Sequence, residues 1–178
     1  MEEVVLVDKD NNVQGFMEKM EAHQKGLLHR AFSVFVFNSN NELLLQQRAH
    51  IKYHSGGLWT NTCCSHPRKN ESFLDAANRR LNEEMGMVCN LENVFSFIYK
   101  AHLDKGLIEH ELDWVFVGKS DTLPIPNPAE VASYRYISLT ELDKEIIEHP
   151  NNYTEWLKIC IKELNQHIKD SNYFEKKL

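Results

Sequence analysis

The chain has 178 residues, a net charge of −6 and 42% hydrophobic residues, a composition that suits one domain with a packed core. Its acidic balance, with a pI near 5.8, argues against nucleic acid or an anionic membrane as a partner, because both call for a basic surface. A small anionic ligand would therefore need a few individually placed cations.

The first part of the chain predicts short strands joined by turns. Val4 to Val7 is apolar and ends at a run of Asp, Lys and Asn residues. The β-rich run Ala31 to Phe37 is followed by a polar turn at residues 38–41 and by Leu43 to Leu45. These are hairpin signals.

The clearest helix follows a loop rich in Gly, His and Pro. Ser72 opens a sequence that resembles a capping box, and Gly86 stands where a C-cap glycine would. Leu74 and Leu81 share one apolar face between them. The pattern predicts a helix from about Phe73 to Met85.

The rest of the chain predicts three strands and two helices, within a single domain of residues 1–178. The strands are expected at about Val94 to Tyr99, Ile108 to Val117 and Ala132 to Ile137, and the helices at about Leu139 to His149 and Tyr153 to Ile168. The polar tail, residues 170–178, is predicted to be frayed.

The start of the chain and its cysteines indicate a cytoplasmic protein. No apolar run approaches the roughly 20 residues that span a bilayer, and the acidic start MEEVVLVDKD does not resemble a signal peptide. Of the four cysteines, Cys63 and Cys64 are adjacent, which makes a poor disulfide framework. We therefore expect reduced thiols, of which at least one can be chemically active.

Nine histidines are spread along the chain, so most are expected to have no special role. We interpret five as surface residues: His50, His54, His102, His149 and His167. Three others lie near glycine or proline in connecting segments: His23, His29 and His66. Each of these three alone is typical of a structural histidine, and spacing does not tell whether they converge.

The predicted strand LIEHELDWVFV carries a row of acidic residues, which we term the acidic stripe. Residues two apart point the same way, so Glu109, Glu111 and Asp113 share one face while the other face is core. Three like charges repel, so this face lies either at a solvated edge or beside a cation. Imidazole with carboxylate suits manganese, zinc or iron, whereas oxygen ligands alone suit magnesium.

The predicted helix carries RRLNEEMG, with Arg80 and Glu84 one turn apart. A surface salt bridge is the plain interpretation, but segment 65–87 resembles the Nudix box. The residues that match this box are Glu71, Arg79, Leu81, Glu83, Glu84 and Gly86. Ser65 replaces its first Gly, and Arg80 replaces a Glu that belongs to the metal-binding cluster of the hydrolases. That replacement opposes metal-assisted attack of water on a diphosphate.

Further segments in the same order resemble the type 1 isopentenyl-diphosphate isomerases of the Nudix superfamily. They are Glu18-Lys19, Ala22-His23, Leu28-His29, Gln47-Arg48-Ala49, Lys52, Trp59 to Pro67, Tyr99, Glu109-His110-Glu111 and Trp156. The resemblance implies an α/β, Nudix-type fold, in which helices sandwich a mixed central sheet and an N-terminal extension carries His23.

The resemblance also implies an activity. The chain would interconvert isopentenyl and dimethylallyl diphosphate through a tertiary carbocation, in isoprenoid precursor biosynthesis. Cys64 and Glu111 would be the catalytic pair, with Tyr99 beside the carboxyl and Trp156 over the substrate carbons, although the spacing of Trp156 alone suits a core indole. We expect Glu111 to donate the proton and Cys64 to act on the other face. Cys63 is interpreted as packing.

The binding residues are implied in the same way. The first metal site, for manganese or zinc, would comprise His23, His29, His66, Glu109 and Glu111. A magnesium site would comprise Glu84 and the backbone carbonyl of Cys64. The diphosphate would be held by Lys19, Arg48, Lys52, Arg80 and Ser65. A small isoprenoid diphosphate is thus the expected partner of a monomer or weak dimer, with neither nucleic acid nor membrane.

Two other functions compete with this hypothesis. A Nudix hydrolase would release phosphate products and is disfavoured by Arg80. A non-enzymatic metal-binding module would bind metal without turnover, and is disfavoured by the combination of a cysteine, an acidic pair and four cations.

Overall fold

A computed structural model of the protein describes residues 2–171, 173 and 174. The strands are β1 (Glu3–Val7), β2 (Val13–Glu18), β3 (His29–Phe37), β4 (Leu43–Arg48), β5 (Trp59–Thr60), β6 (Cys63–Ser65), β7 (Leu91–His102), β8 (Ile108–Lys119) and β9 (Val131–Ile137). The α-helices are α1 (Lys19–Lys25), α2 (Phe73–Met85), α3 (Leu139–Glu148) and α4 (Glu155–Ser171). Short 3-10 turns lie at Asp104–Gly106 and Pro150–Asn152.

These strands form one mixed sheet with β3 at its centre, as the resemblance implied. β3 runs parallel to β8 and antiparallel to β1, β4 and β6. β2 pairs with β1, β7 with β8, and both β5 and β9 with β4. The parallel register sets His29 opposite Glu111, so the first residue of β3 lies beside the acidic stripe of β8.

Side chains of β3 alternate between two helical layers. Phe32, Val34 and Val36 pack on the side of α2, whereas Phe35 and Phe37 pack on the side of α3 and α4. Because a strand's side chains alternate, a strand covered on both faces becomes a nearly continuous apolar run. This explains why the β-rich signal of this segment is so clear in the sequence.

Helix α2 has the predicted bounds. The Ser72 hydroxyl accepts a hydrogen bond from the backbone N–H of Asp75 at 3.1 Å, which caps the first turn. Gly86 ends the helix at φ 62°, and a Cβ there would lie 2.5 Å from the carbonyl oxygen of Ile125. Only glycine meets both demands. Leu74 was predicted on the buried face but is 44% exposed, because it lies in the first turn, outside the packed stripe.

The N-terminal extension contains two elements that the sequence pattern did not predict, β2 and α1. No residue of β2 is buried, so it lacks an alternating apolar signal. Helix α1 has only seven residues; Glu18 caps it by accepting from the backbone N–H of Glu21 at 2.9 Å, and Gly26 ends it at φ 61°. Elements this short and exposed are held by their neighbours rather than by their own pattern.

The C-terminal helix begins two residues later than predicted and extends to Ser171, so Asp170 and Ser171 are helical rather than frayed. Tyr173 is buried, and the ring of Phe174 packs edge-on against Phe37 at 5.1 Å. These residues correct the expected frayed tail, of which residues 172 and 175–178 lie outside the described part. Within that part, no helix combines the length and apolar character of a membrane span.

Candidate active site

The predicted site residues converge on one cavity of about 310 Å³. Those that line it are Lys19, His23, Arg48, Lys52, Cys64, Ser65, His66, Arg80, Glu84, Tyr99, Glu109, Glu111 and Trp156. His29 is fully buried behind this wall. The lining also includes residues that the sequence did not single out, among them Glu2, Ser33, Tyr53, His54 and Glu130.

One wall holds what we term the histidine cluster: His23, His29, His66 and Glu111. Their potential ligand atoms all lie within 4.8 Å of one another. Nε2 of His66 is 3.0 Å from Oε1 of Glu111, and Nε2 of His29 is 3.5 Å from the same oxygen. The residues come from α1, β3, β8 and the segment after β6, so only the folded sheet brings them together.

Hydrogen bonds fix the imidazoles of His23 and His29. Nδ1 of His23 lies 2.7 Å from the carbonyl oxygen of Lys19, and Nδ1 of His29 lies 2.8 Å from that of Leu27. A proton on each Nδ1 donates to the carbonyl and leaves Nε2 free as a ligand. Burial, followed by the neighbouring imidazoles, lowers the pKa of His23 to about 4. Burial also lowers the pKa of His66, so both rings are neutral at pH 7.

The acidic stripe is buried, which excludes the solvated edge that the sequence left open. Glu109, Glu111 and Asp113 are 6%, 6% and 1% exposed. Ser33 donates to Asp113 at 2.8 Å, and burial followed by the charge of Glu111 raises the pKa of Asp113 to about 8. Glu109 lies outside the group of converging ligand atoms formed by the histidine cluster.

Tyr99 bridges the two glutamates. Its hydroxyl lies 2.5 Å from Oε2 of Glu111 and 3.0 Å from Oε2 of Glu109. Burial and the charge of Glu111 raise the pKa of Glu109 well above its ordinary value. Burial acts in the same direction on Glu111, but the imidazoles of His29 and His66 beside its Oε1 outweigh it and lower that pKa. This difference favours a shared proton on Glu109 over one on Glu111.

The adjacent cysteines face opposite ways because β6 is a strand. Cys63 is fully buried and packs in the core cluster beneath α2. Cys64 instead lines the cavity and pairs with Ser33 across the ladder, on the same face as that residue. Burial raises the pKa of the Cys64 thiol, against the opposing effect of the Arg48 guanidinium.

Four cations in the lining of the cavity form what we term the cation rim: Lys19, Arg48, Lys52 and Arg80. Three of the four cations are paired with carboxylates. Lys19 lies 2.5 Å from Glu2, Lys52 lies 2.5 Å from Glu130, and Arg80 lies 2.5 Å from Glu84.

Glu84 is held in place by an amide from β4. Its second oxygen accepts from Gln46 of β4 at 2.7 Å, and the same amide donates to the Thr62 carbonyl at 3.1 Å. The outer part of the Nudix-like box is an ion-pair network, in which Arg79 binds Glu71 through two bonds of 2.7 and 2.9 Å. The box therefore fixes the helix, while Arg80 and Glu84 face the cavity.

Trp156 and His54 form the remaining wall. Trp156 is 3% exposed, and its indole Nε1 has no hydrogen-bond partner among the described residues. The Arg48 guanidinium lies over the indole at 5.1 Å, and the His54 ring meets it edge-on at 5.7 Å. The expectation that His54 is a surface residue is wrong, since it is 4% exposed. Its segment turns back onto the cavity, where the Arg48 side chain donates to the His54 carbonyl at 3.2 Å.

Comparison with known proteins agrees with the fold. A family model described as NUDIX domain matches residues 27–157. A crystal structure of a protein from Deinococcus radiodurans is similar, with a TM-score of 0.76, 17% identity, and coverage of 91% of this chain and 98% of that one. A MutT protein from Methanosarcina mazei has a TM-score of 0.65 at 16% identity, covering 80% and 96% of the two chains. At these identities the structural matches support the fold alone.

Two curated relatives are much more similar in sequence. Isopentenyl-diphosphate Delta-isomerase 2 of Aromatoleum aromaticum is 53% identical over 160 residues, which cover 90% of this chain and 85% of the relative. Isopentenyl-diphosphate Delta-isomerase of Pectobacterium atrosepticum is 54% identical over 157 residues, which cover 88% of each chain.

Proposed function

The chain belongs to the isopentenyl-diphosphate Delta-isomerases of the NUDIX family, and we propose that it interconverts isopentenyl diphosphate and dimethylallyl diphosphate. It is an isomerase that moves one carbon–carbon double bond, with no redox step. The observation that carries this proposal is the single cavity in which Cys64 and Glu111 lie with the cation rim. Such a cavity can bind a diphosphate at one side and exchange protons with a short hydrocarbon at the other.

The histidine cluster suits manganese or zinc. Three imidazoles and one carboxylate match the ligand preferences of these metals better than those of magnesium. A cation held there would supply positive charge that keeps Glu111 in place and polarises its carboxyl group. Glu109 is proposed to complete this site. Magnesium is proposed at Glu84 and the Cys64 carbonyl, beside the diphosphate.

The proton donor is proposed to be Glu111, supplied through Tyr99. The tyrosine hydroxyl contacts both glutamates, so it can pass a proton from Glu109 to Glu111 without solvent. Burial keeps this path dry, and a dry acid is what protonation of an unactivated alkene requires. Protonation of the terminal carbon gives a tertiary carbocation.

Cys64 is proposed to remove the allylic proton from the other face of the substrate. The thiolate is the form that accepts a proton, and burial disfavours it. Arg48 opposes this effect of burial, since its guanidinium lowers the pKa of the thiol. In each turnover Glu111 loses one proton and Cys64 gains one. The protein then regains its starting state when these two groups exchange protons.

The diphosphate is proposed to bind at the cation rim, with Ser65 as an additional hydrogen-bond donor. Guanidinium groups of Arg48 and Arg80 can bind phosphate oxygens with two bonds each, and Lys19 and Lys52 add point charges. Arg80 stands where the Nudix hydrolases carry a metal-binding Glu, so the residue that disfavours hydrolysis also favours diphosphate binding.

The cellular setting is proposed from the cysteines and the substrate. All four cysteines are free thiols, which suits the reducing cytoplasm. We assign the protein to isoprenoid precursor biosynthesis, as a monomer or weak dimer that acts on a small diphosphate.

One assay separates this function from its rivals. The protein is incubated with isopentenyl diphosphate and divalent metal, and the products are identified by chromatography. Dimethylallyl diphosphate supports the isomerase. Release of inorganic phosphate would favour a hydrolase, and metal binding without any turnover would favour a non-enzymatic module.

A further inference from the structure

Glu130 lies directly before β9 and lines the cavity beside the cation rim. We propose that the negative charge of Glu130 lowers the affinity of Lys52 and Arg80 for the diphosphate and thereby keeps product release fast. The proposal rests on the diphosphate site of the proposed function.

A single oxygen of Glu130 serves both cations. Its Oε2 lies 2.5 Å from Nζ of Lys52 and 3.5 Å from a terminal nitrogen of Arg80. Arg80 has further carboxylate partners in Glu83 and Glu84, at 2.8 and 2.5 Å. Lys52 has no second ion-pair partner within residues 2–171, 173 and 174. Glu130 therefore stands where two groups proposed to bind phosphate converge.

Backbone hydrogen bonds hold Glu130 in this position. Its carbonyl accepts from the N–H of Ala49 at 2.9 Å, next to Arg48, and its own N–H donates to the carbonyl of Asn127 at 2.9 Å. Asn127 in turn donates from its N–H to the Glu84 carbonyl at 2.8 Å. The turn that carries Glu130 is thus tied to both the end of β4 and the end of α2. Such fixed placement suits a group that acts on the charge of the site.

The chemistry of an isomerase explains why a weaker grip is useful. Substrate and product carry the same diphosphate, so stronger binding at the cation rim stabilises both equally and leaves the chemical barrier unchanged. It would, however, slow the exit of product, a step that often limits turnover. A carboxylate between Lys52 and Arg80 lowers the positive potential and competes with the phosphate oxygens.

The sign of the effect separates this role from simple positioning. If Glu130 only held the two cations in place, its removal would disorder them and weaken diphosphate binding. If it is a counter-charge, its removal leaves Lys52 beside Arg80 without its carboxylate partner, and a diphosphate relieves the repulsion between the two cations. Binding then becomes tighter.

The test measures binding of inorganic pyrophosphate by calorimetry in magnesium-free buffer, so that no turnover is involved. Glu130→Gln should bind pyrophosphate about two- to fivefold more tightly than wild type, the scale of a partly exposed charge pair. Glu130→Asp keeps the charge and should lie between the two. The matched control is Glu148→Gln on α3, which makes the same charge change at an exposed pair with Lys144 and should bind as wild type.

Lys52→Ala separates failure of this proposal from failure of the proposed function. It should bind pyrophosphate more weakly; binding equal to wild type would overturn the diphosphate site and this proposal together. With Lys52→Ala weakened, equal or weaker binding by Glu130→Gln overturns the counter-charge alone. Tighter binding together with a lower KM and a kcat that does not rise supports it.

Discussion

The histidine cluster and the cation rim, which both contribute residues to the cavity lining, differ in their exposure to water and in their ion pairing. The histidine cluster is largely buried, with His23, His29 and Glu111 shielded from solvent and His66 partly so, and its members come from four separate segments. In the cation rim, Lys19, Lys52 and Arg80 are partly exposed and paired with carboxylates, whereas Arg48 is buried. The groups proposed to move protons are thus shielded from water, while most of the cations proposed to recognise the diphosphate remain near water, where opposite charges and solvent moderate their attraction.

This difference predicts unequal consequences of mutation. A buried group has no water to replace a lost partner, so damage at the histidine cluster or the catalytic pair should be severe. A rim cation acts in partly screened surroundings and shares its task with three others, so a single loss there should be moderate.

The largest expected effect comes from removing metal. Stripping with a strong chelator should abolish conversion of isopentenyl diphosphate; manganese or zinc should restore more activity than magnesium alone, because neutral imidazoles are poor ligands for magnesium. His29→Ala should lose this response, whereas the exposed His50→Ala should keep it. Full activity of a magnesium-only sample whose histidine site is empty, established by elemental analysis, would contradict the prediction.

Loss of the catalytic pair should come next. Cys64→Ser and Glu111→Gln should each reduce kcat on the order of 10²–10⁴-fold or more, the usual scale for a positioned acid or base. Cys63→Ala is the matched control, since that thiol lies on the opposite face of β6 and packs beneath α2. Steady-state kinetics and a thermal melt of each variant would decide. A fatal Cys63→Ala change beside an active Cys64→Ser would mean that the catalytic thiol has been misassigned by one residue.

The helix that carries Arg80 and the histidine cluster also differ in how far the sequence could predict them. The bounds of α2 were predictable because its caps and apolar stripe are local signals, whereas the Nudix-type fold was predicted from the family resemblance. Convergence of the histidines depends on the parallel pairing of β3 with β8, which joins residues more than eighty positions apart, as in His29 and Glu111. Only the resemblance to a family joined them beforehand.

Residues without local signals were missed for related reasons. His54 follows no periodic element, and its burial results from a loop that turns back onto the cavity. β2 and α1 carry too few buried residues to generate a pattern. Glu130 could not be identified because its partners, Lys52 and Arg80, lie in distant segments. Tertiary contacts decide each case.

A smaller effect is expected at the proton path behind the catalytic carboxyl. Tyr99→Phe removes the hydroxyl that joins Glu109 to Glu111 and should lower kcat about 10- to 100-fold, the scale of a hydrogen bond to a charged group. KM should change little, because the tyrosine does not contact the cation rim. Tyr53→Phe is the control, as that ring also lines the cavity but has no hydrogen bond to the two glutamates. Equal kcat values for the two variants would remove Tyr99 from the proton path.

The smallest expected effect concerns Trp156, whose indole lines the cavity. Buried indoles usually find a partner for their N–H, yet Nε1 of Trp156 has none among the described residues, so packing alone explains its placement poorly. A tertiary carbocation in a closed cavity needs a neighbour that stabilises positive charge but cannot attack it, and an indole face supplies roughly 0.5–2 kcal/mol. Trp156→Leu should therefore lower kcat about 2- to 30-fold, and Trp156→Phe should lose less.

The control is Trp59→Leu, since this indole also lies beneath a guanidinium, that of Arg135 at 4.7 Å, but outside the cavity. A diphosphate that carries a tertiary ammonium in place of the cationic carbon should bind more tightly to wild type and Trp59→Leu than to Trp156→Leu. Equal binding of this analogue to all three folded proteins would mean that Trp156 only packs in the core and does not stabilise the carbocation.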